Sequence, residues 1–416
     1  RLGCMTSEKI ENIFWLLFAG WLILRILLLG SQYIGNSDPV ATAEILQFFT
    51  QEDIDTGREY SLRGFWFKTV YGTLFVVFLI FLLHSGFFSS VWNKCNAWFG
   101  EGLLRTDLVF ILFFLLVVQL LSLPMSFYFG HFLEVEAGFA NVNFAGWLLK
   151  YLKSAGLNLI FECTTIMLLL TVIRWFPVAW PVLLPAAMGG LGLFVTLLVP
   201  LVVTPLFYEQ TPLAEGEFRD RLLEIAAKAD MSVKEIYVVD ESRYSKHTNA
   251  YFTGVGPFRR IVLYDTLLKS HTPEEAALIF AHEAGHWKYN HVAWGLSLGV
   301  LGAFAAAVVY LLLFPWLSQV QWFGLPAIAS ARNIPFIIVI TMLLQLYFAP
   351  VESQISQFME RQADRTAIEL TGLNEVYRQA QIRLSRDNRS ELLPHPLRVF
   401  WLYSHPPTID RIKSAM

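Results

Sequence analysis

Apolar residues run almost without a break through seven stretches of the chain, and polar segments separate them. An α-helix needs about 20 apolar residues to cross about 30 Å of hydrocarbon. No small-residue cleavage site follows the first stretch, so we expect a retained span and not a signal peptide. The pattern predicts seven membrane-spanning helices, at residues 12–30, 66–84, 107–129, 156–175, 181–205, 294–316 and 334–350.

The first long polar block follows the fifth span. Thr211-Pro212 opens an amphipathic segment, which predicts that a helix begins there. Thr272-Pro273-Glu274-Glu275 is a capping box with proline at the first helical position, so a second helix is expected to begin at this point. Between these helices, runs of β-branched and aromatic residues predict three strands, at residues 236–239, 249–253 (ending in a turn at Gly254) and 261–264.

These elements predict a mainly α, polytopic membrane protein with a small α+β part on its cytosolic side. Lys and Arg are dense in the two polar blocks, whereas only Arg332 lies between spans six and seven, so we expect both blocks in the cytoplasm. We also expect Met5 to be the natural start. The predicted segments are five spans (1–206), a cytosolic part (207–293), two spans (294–350) and a C-terminal cytosolic part (351–416).

Composition supports this class. Hydrophobic residues make up 55% of the chain and charged residues 16%, against a usual charged share of about 25%, and the mean hydropathy is +0.49. The net charge of −3 and the absence of a basic stripe give no support for a nucleic-acid partner. The three cysteines lie far apart in sequence, so neither a disulfide framework nor a thiolate zinc site is expected.

The chemistry is indicated by His282-Glu283-Ala284-Gly285-His286, which lies in the second predicted helix. Side chains four residues apart lie about 5–6 Å apart on one helical face, so both imidazoles can reach one ion. This spacing is typical of zinc hydrolases and predicts one Zn²⁺ per chain, with His282 and His286 as ligands and Glu283 beside a water molecule.

A catalytic zinc usually has three protein ligands, and the second polar block offers the third. Glu360 is our predicted ligand, and Asp364, one helical turn later, is predicted to hydrogen-bond a ligand histidine. Glu352 and Glu369 are alternatives that spacing alone does not exclude. With such an ion bound, Glu283 would act as general base in amide hydrolysis, and His405 and Arg411 are candidates to stabilise the oxyanion.

Taken in order, these motifs resemble the integral-membrane zinc metalloproteases of the CAAX prenyl protease type I family. The resemblance covers most of the chain. The matching segments are Thr204-Pro205-Leu206-Phe207 through Thr211-Pro212-Leu213, Ser245 to Gly254 with Asn249-Ala250-Tyr251-Phe252-Thr253-Gly254, the motif from His282 to His286, Glu360 with Ala363-Asp364, and His405-Pro406-Pro407 with Arg411-Ile412.

The resemblance implies a particular architecture and set of roles. Seven helices would enclose a water-filled chamber, with the zinc ligands and the base as above. Asn249, Ala250, Tyr251 and Phe252 would form a strand to which an extended peptide adds. His405 and Arg411 would steady the substrate or the transition state.

We expect a peptide or protein substrate, with or without a lipid modification. The compact length and the absence of a dilysine at the C-terminus suggest a bacterial inner-membrane protein, or an endoplasmic reticulum protein if the source is eukaryotic. We therefore expect one of two functions, the cleavage of CAAX-type proteins or the quality control of other membrane proteins. The alternative is a polytopic scaffold or transporter with a structural metal site.

Two further expectations concern polar residues outside this set. Glu162 lies within the fourth span, where a charge is costly, so we expect it to face a wet interior. His291 follows the motif by five residues and should turn away from the ligand face. We expect structural or solvated roles for the remaining histidines, namely His84, His131, His247, His271, His291 and His395.

Overall fold

The computed structural model describes residues 6–100, 102–231, 233, 235–253 and 260–415. Met5 and the turn predicted at Gly254 lie outside the described residues. Within those ranges, seven helical segments are long and apolar enough to cross a membrane, which confirms the predicted number. They are Ser7–Ile34, Gln51–His84, Leu104–Glu136, Phe144–Trp175, Trp180–Phe207, His291–Leu317 and Ala331–Thr371.

The first half of the chain is helical almost throughout. Short π-helical turns join helices within the third and fifth spans. The helices of this half are α1 (Ser7–Ile34), α2 (Pro39–Ile45), α3 (Gln51–His84), α4 (Phe87–Phe99), α5 (Leu108–Phe127), α6 (Leu133–Glu136), α7 (Phe144–Trp175), α8 (Trp180–Leu198) and α9 (Thr204–Phe207).

The block between spans five and six is a small α+β unit, as predicted. Its sheet has the order β1-β2-β4-β3, in which β2 and β4 are parallel and the other two pairs are antiparallel. The elements are β1 (Gln210–Pro212), α10 (Glu217–Lys228), β2 (Ile236–Val239), β3 (Ala250–Thr253), β4 (Arg260–Tyr264), α11 (Asp265–Ser270) and α12 (Pro273–Lys288).

The prediction that a helix begins at Thr211-Pro212 was wrong. These residues belong to β1, where Thr211 and Pro212 pair with Val238 and Tyr237 of β2. The helix begins only at Glu217, after Gly216. A proline is tolerated in β1 because this is an edge strand, in which one side of the backbone needs no partner.

The last part of the chain returns to the membrane and then packs beside the α+β unit. It contains α13 (His291–Leu317), α14 (Ile334–Thr371), α15 (Asn374–Asp387), α16 (Pro396–Leu402) and α17 (Thr408–Lys413). Because α14 continues about 20 residues beyond the predicted end of span seven, it carries the C-terminal block directly out of the membrane. The division into four segments stays a prediction.

Two apolar cores hold these parts together. One lies among the membrane helices and includes the fully buried Trp21, Phe110 and Phe336. The other lies under the sheet and joins β2, β3 and β4 to α10, α12 and α15 through residues such as Phe280 and Tyr377. Helix α12 is thus fixed on one side by the sheet core.

Candidate active site

Helix α12 begins where the sequence predicts. The Thr272 hydroxyl accepts a hydrogen bond from the Glu275 backbone N–H (3.2 Å), and the Glu275 carboxylate accepts one from the Thr272 backbone N–H (2.8 Å). The capping box therefore fixes the helix start. Three turns later, His282 and His286 lie on the same face, with ring centroids 4.8 Å apart.

Gly285 allows α12 to approach α14 closely. A Cβ atom at this position would lie 2.8 Å from the Ala363 Cα and 3.1 Å from the Ala363 carbonyl oxygen. Only a residue without a side chain fits such an approach of two backbones. The contact brings the histidine face of α12 against the turn of α14 that carries Glu360 and Asp364.

Three side chains that can bind a metal ion converge between these helices. Nε2 of His282 lies 3.1 Å from Nε2 of His286. The Glu360 carboxylate oxygens lie 3.2 Å from the His282 Nε2 and 3.3 Å from the His286 Nε2. Ligands about 2.0–2.1 Å from a tetrahedral ion lie about 3.3–3.4 Å from one another. The observed spacings match that requirement.

The surroundings of these atoms also fit a cation. Oε2 of Glu360 is buried and accepts no hydrogen bond from the described residues. The other ring nitrogens face away from this point, since Nδ1 of His282 lies 2.9 Å from an Asp364 oxygen and Nδ1 of His286 lies 2.8 Å from Nδ1 of His291. The two Nε2 lone pairs therefore face the carboxylate, an arrangement that a divalent cation would stabilise.

The structure separates the carboxylates that spacing left open. Among the described residues, the one group of histidines and acids close enough to hold an ion is His282, His286 and Glu360. Glu352 and Glu369 are exposed on α14 and lie outside this group.

The base candidate Glu283 lies between the metal-binding face and β3. Its carboxylate accepts a hydrogen bond of 3.2 Å from the Phe252 backbone N–H. The protein around Glu283 desolvates the carboxylate, and this burial raises its pKa. A raised pKa suits a group that takes up a proton during the reaction.

Strand β3 is an edge strand and leaves one side of its backbone open. Tyr264 donates its backbone N–H to the Asn249 carbonyl (3.0 Å), so Asn249 and Tyr251 turn their backbone polar groups toward β4. Ala250 and Phe252 therefore turn theirs toward the motif, as the Phe252 bond to Glu283 also indicates. The Asn249 side chain is exposed and bonds locally to the Ala250 N–H.

The two C-terminal candidates take different positions. His405 is about half exposed, and its Nε2 lies 3.3 Å from Oε2 of Glu360, at the edge of the ligand group. Arg411 is held behind the site, where its Nε donates a 2.9 Å hydrogen bond to Asp364 and its terminal nitrogen pairs with the same carboxylate. An oxyanion role for either residue stays a prediction.

Sequence reasoning missed the position of His291. We expected it to turn away, on the assumption that the motif helix continues through it. Instead α12 ends at Lys288, and α13 begins at His291 after Asn290 takes a left-handed conformation (φ 54°). The Tyr289-Asn290 pair after the motif was the available signal, because asparagine favours this conformation.

A helix-borne His-Glu-x-x-His motif with a glutamate from a later membrane helix defines an integral-membrane metalloendopeptidase. Comparisons with known proteins agree. Residues 212–416 match peptidase family M48, and residues 32–209 match the N-terminal region of CAAX prenyl proteases, described as five membrane helices. The chain belongs to peptidase family M48, together with the CAAX prenyl protease 1 enzymes.

The relatives include enzymes from yeast and plants. CAAX prenyl protease 1 of Saccharomyces cerevisiae is 30% identical over 313 residues, which cover 70% of this chain and 68% of the yeast protein. The CAAX prenyl protease 1 homolog of Arabidopsis thaliana is 27% identical over 90% of each chain. The crystal structure of S. mikatae Ste24p has the same fold, with a TM-score of 0.81, 24% identity and 99% of each chain covered.

Proposed function

We propose that this protein is a zinc endopeptidase that cuts isoprenylated, CAAX-type proteins at the membrane surface. The observation that carries the proposal is the convergence of His282, His286 and Glu360 at 3.1–3.3 Å beside an open strand edge. Two imidazoles and one carboxylate are a typical ligand set of catalytic zinc in peptidases. The names of the fungal and plant relatives support the substrate class.

The chain's own residues supply the remaining parts of the reaction. A zinc ion in this site would acidify a bound water molecule and polarise the scissile carbonyl. Glu283 takes the proton from the attacking water and delivers it to the leaving amine. His405 donates a hydrogen bond to the carbonyl oxygen as negative charge develops on it. This role is supported by the position of the His405 Nε2, which lies 3.3 Å from Oε2 of Glu360.

The substrate backbone is proposed to align along β3. Ala250 and Phe252 offer outward-facing backbone groups, so an extended peptide can add to the sheet as a further strand. The side chains of Tyr251 and Phe252 are partly exposed there. The density of Lys and Arg in both polar blocks supports a location of the site in the cytoplasm.

The proposal is tested with the full-length protein in detergent or liposomes. Glu283→Gln should lower peptide cleavage by about 10²–10⁴-fold, the usual contribution of a general base, while bound zinc and thermal stability remain as in the wild type. Glu274→Gln is the matched control, because Glu274 lies on the same helix and pairs with Arg221 at the surface. Undiminished cleavage by Glu283→Gln would remove this residue from the mechanism.

A second comparison tests the substrate. A farnesylated CAAX peptide should be cut faster than the same peptide without lipid, and mapping of new N-termini in membranes should show cuts that depend on Glu283. Equal rates for both peptides, together with cuts in other membrane proteins, would favour membrane-protein quality control instead.

A further inference from the structure

His291 is a buried histidine that the reaction described above does not use. Its exposure is 7%, and the Tyr289 ring stacks beside its ring at a centroid distance of 5.8 Å. The left-handed Asn290 separates α12 from α13, and His291, the first residue of α13, lies against His286 on the histidine face of α12. The imidazole therefore lies directly behind His286.

The contacts of His291 form a chain of hydrogen bonds with one consistent set of donors. A nitrogen that binds a metal carries no proton, so His286, with Nε2 directed at Glu360, carries its proton on Nδ1. That N–H donates to Nδ1 of His291 over 2.8 Å. His291 then carries its own proton on Nε2 and donates it to Oε1 of Gln362 over 3.2 Å.

We propose that His291, itself oriented by Gln362, is a positioning residue that fixes the tautomer and ring angle of His286. The inference rests on the proposed ligand set and extends it. The two ligand histidines then have different supports: a carboxylate of α14, Asp364, lies behind His282, and a neutral pair, His291 of α13 with Gln362 of α14, lies behind His286. Groups that orient ligand imidazoles typically contribute about 10–100-fold to metal affinity.

The experiment measures zinc affinity of the full-length protein by competition with a chelator. His291→Ala should weaken zinc binding about 10–100-fold. His291→Asn should restore most of this affinity, because its side-chain oxygen can stand near the position of Nδ1 and accept from His286. His291→Gln, whose polar group stands near the position of Nε2, should not. The visible spectrum of the Co²⁺-substituted protein gives a second readout that is independent of cleavage.

His271→Ala is the matched control. His271 has the same exposure of 7%, lies on the same polar block and contacts Ser270, not the ligand group. His271→Ala should leave zinc affinity unchanged. Gln362→Leu should lower affinity in the same direction as His291→Ala but by less, since it acts one hydrogen bond further from the metal.

Several results would overturn the proposal. Wild-type affinity in His291→Ala would do so, as would equal losses in the Asn and Gln variants, or an equal loss in His271→Ala. If His291→Ala does not fold, the zinc affinities of His291→Asn and His291→Gln decide between the outcomes. A wild-type protein that binds no stoichiometric zinc would instead refute the proposed function, so the two failures are distinguishable.

Discussion

Glu360 lies in the site because of its position along the long helix α14. Glu352 and Glu369 lie on the same helix, but eight and nine residues away, which corresponds to about 12 and 13.5 Å along the axis. Neither side chain can reach the histidines across that distance. Choosing among the three from sequence requires knowledge of which turn of α14 packs against α12, and that contact is made between residues far apart in the chain.

Replacement of these three carboxylates therefore separates a ligand from its neighbours. Glu360→Ala should lose stoichiometric zinc and cleavage together, because it removes one of the three proposed ligands. Glu352→Ala and Glu369→Ala should keep both, since these side chains are exposed and outside the ligand group. Metal content by atomic spectroscopy after gel filtration is the measurement. Zinc retained in Glu360→Ala but lost in either control would mean that the third ligand is a different carboxylate.

At the scale of elements, the packing of α12 on α14 determines whether the three proposed ligands meet. The contact depends on Gly285, because an added Cβ atom would lie 2.8 Å from backbone of α14. A backbone atom cannot move aside as a flexible side chain can. The two helices would have to separate, and separation moves His282 and His286 away from Glu360.

Gly285→Ala is expected to cost about 1–3 kcal/mol of stability through overpacking and to weaken zinc binding as well. Gly295→Ala is the control, because a Cβ atom at Gly295 in α13 meets no atom within 4 Å. The control should be neutral or slightly stabilising, since alanine is the better helix former. Thermal unfolding and zinc titration of both variants check this. Full zinc affinity in Gly285→Ala would show that the close contact does not set the ligand spacing.

Local signals predicted part of this arrangement. The capping box at Thr272 and the spacing of His282 and His286 were sufficient to place one helix face, because both depend on residues within a few turns. Thr211 was misread as a helix start, since its pairing partner in β2 lies 27 residues later and leaves no local trace. His291 was misplaced because one left-handed residue, Asn290, changes the direction of everything after it.

Helix α7, in the membrane part of the protein, has one polar face and one apolar face. Ser154, Asn158, Glu162 and Thr165 follow one another at intervals of four, four and three residues, so they lie on one helical face. The side chains of Asn158 and Glu162 are exposed. The face roughly opposite is exposed but apolar, with Leu149, Leu152 and Ile160 at 59%, 57% and 67% exposure. One apolar and one polar exposed face suggest lipid on one side and water on the other.

Cysteine labelling tests this reading of α7 and of the predicted chamber. In a variant without the native cysteines, Glu162→Cys in intact membranes should react with a charged, membrane-impermeant maleimide, because its thiol is predicted to face water. Ile160→Cys, two residues away on the apolar face, should react far less. Equal protection of both positions would place Glu162 in lipid and contradict a water-filled interior.

At the scale of the whole molecule, His247 connects three distant parts of the chain. It lies shortly before β3, and its Nε2 is 2.7 Å from Glu134 at the end of the third span. Its Nδ1 lies 3.0 Å from Oδ1 of Asn388 in the C-terminal block. Both ring nitrogens thus face acceptors, which favours the doubly protonated ring. The hydrogen bond to Glu134 raises the pKa of His247.

This connection should make stability depend on pH. Because the pKa of His247 is higher in the folded than in the unfolded chain, its contribution is complete below about pH 6.5 and is lost as pH rises through the folded value. Glu134→Gln should therefore lower thermal stability, by about 1 kcal/mol or less for a partly exposed pair, at about pH 6 and much less at about pH 9. Glu59→Gln, at an exposed carboxylate paired with Arg63, is the control and should show no such difference. If Glu134→Gln destabilised the protein equally at both pH values, protonated His247 would not be what joins the membrane helices to the catalytic unit.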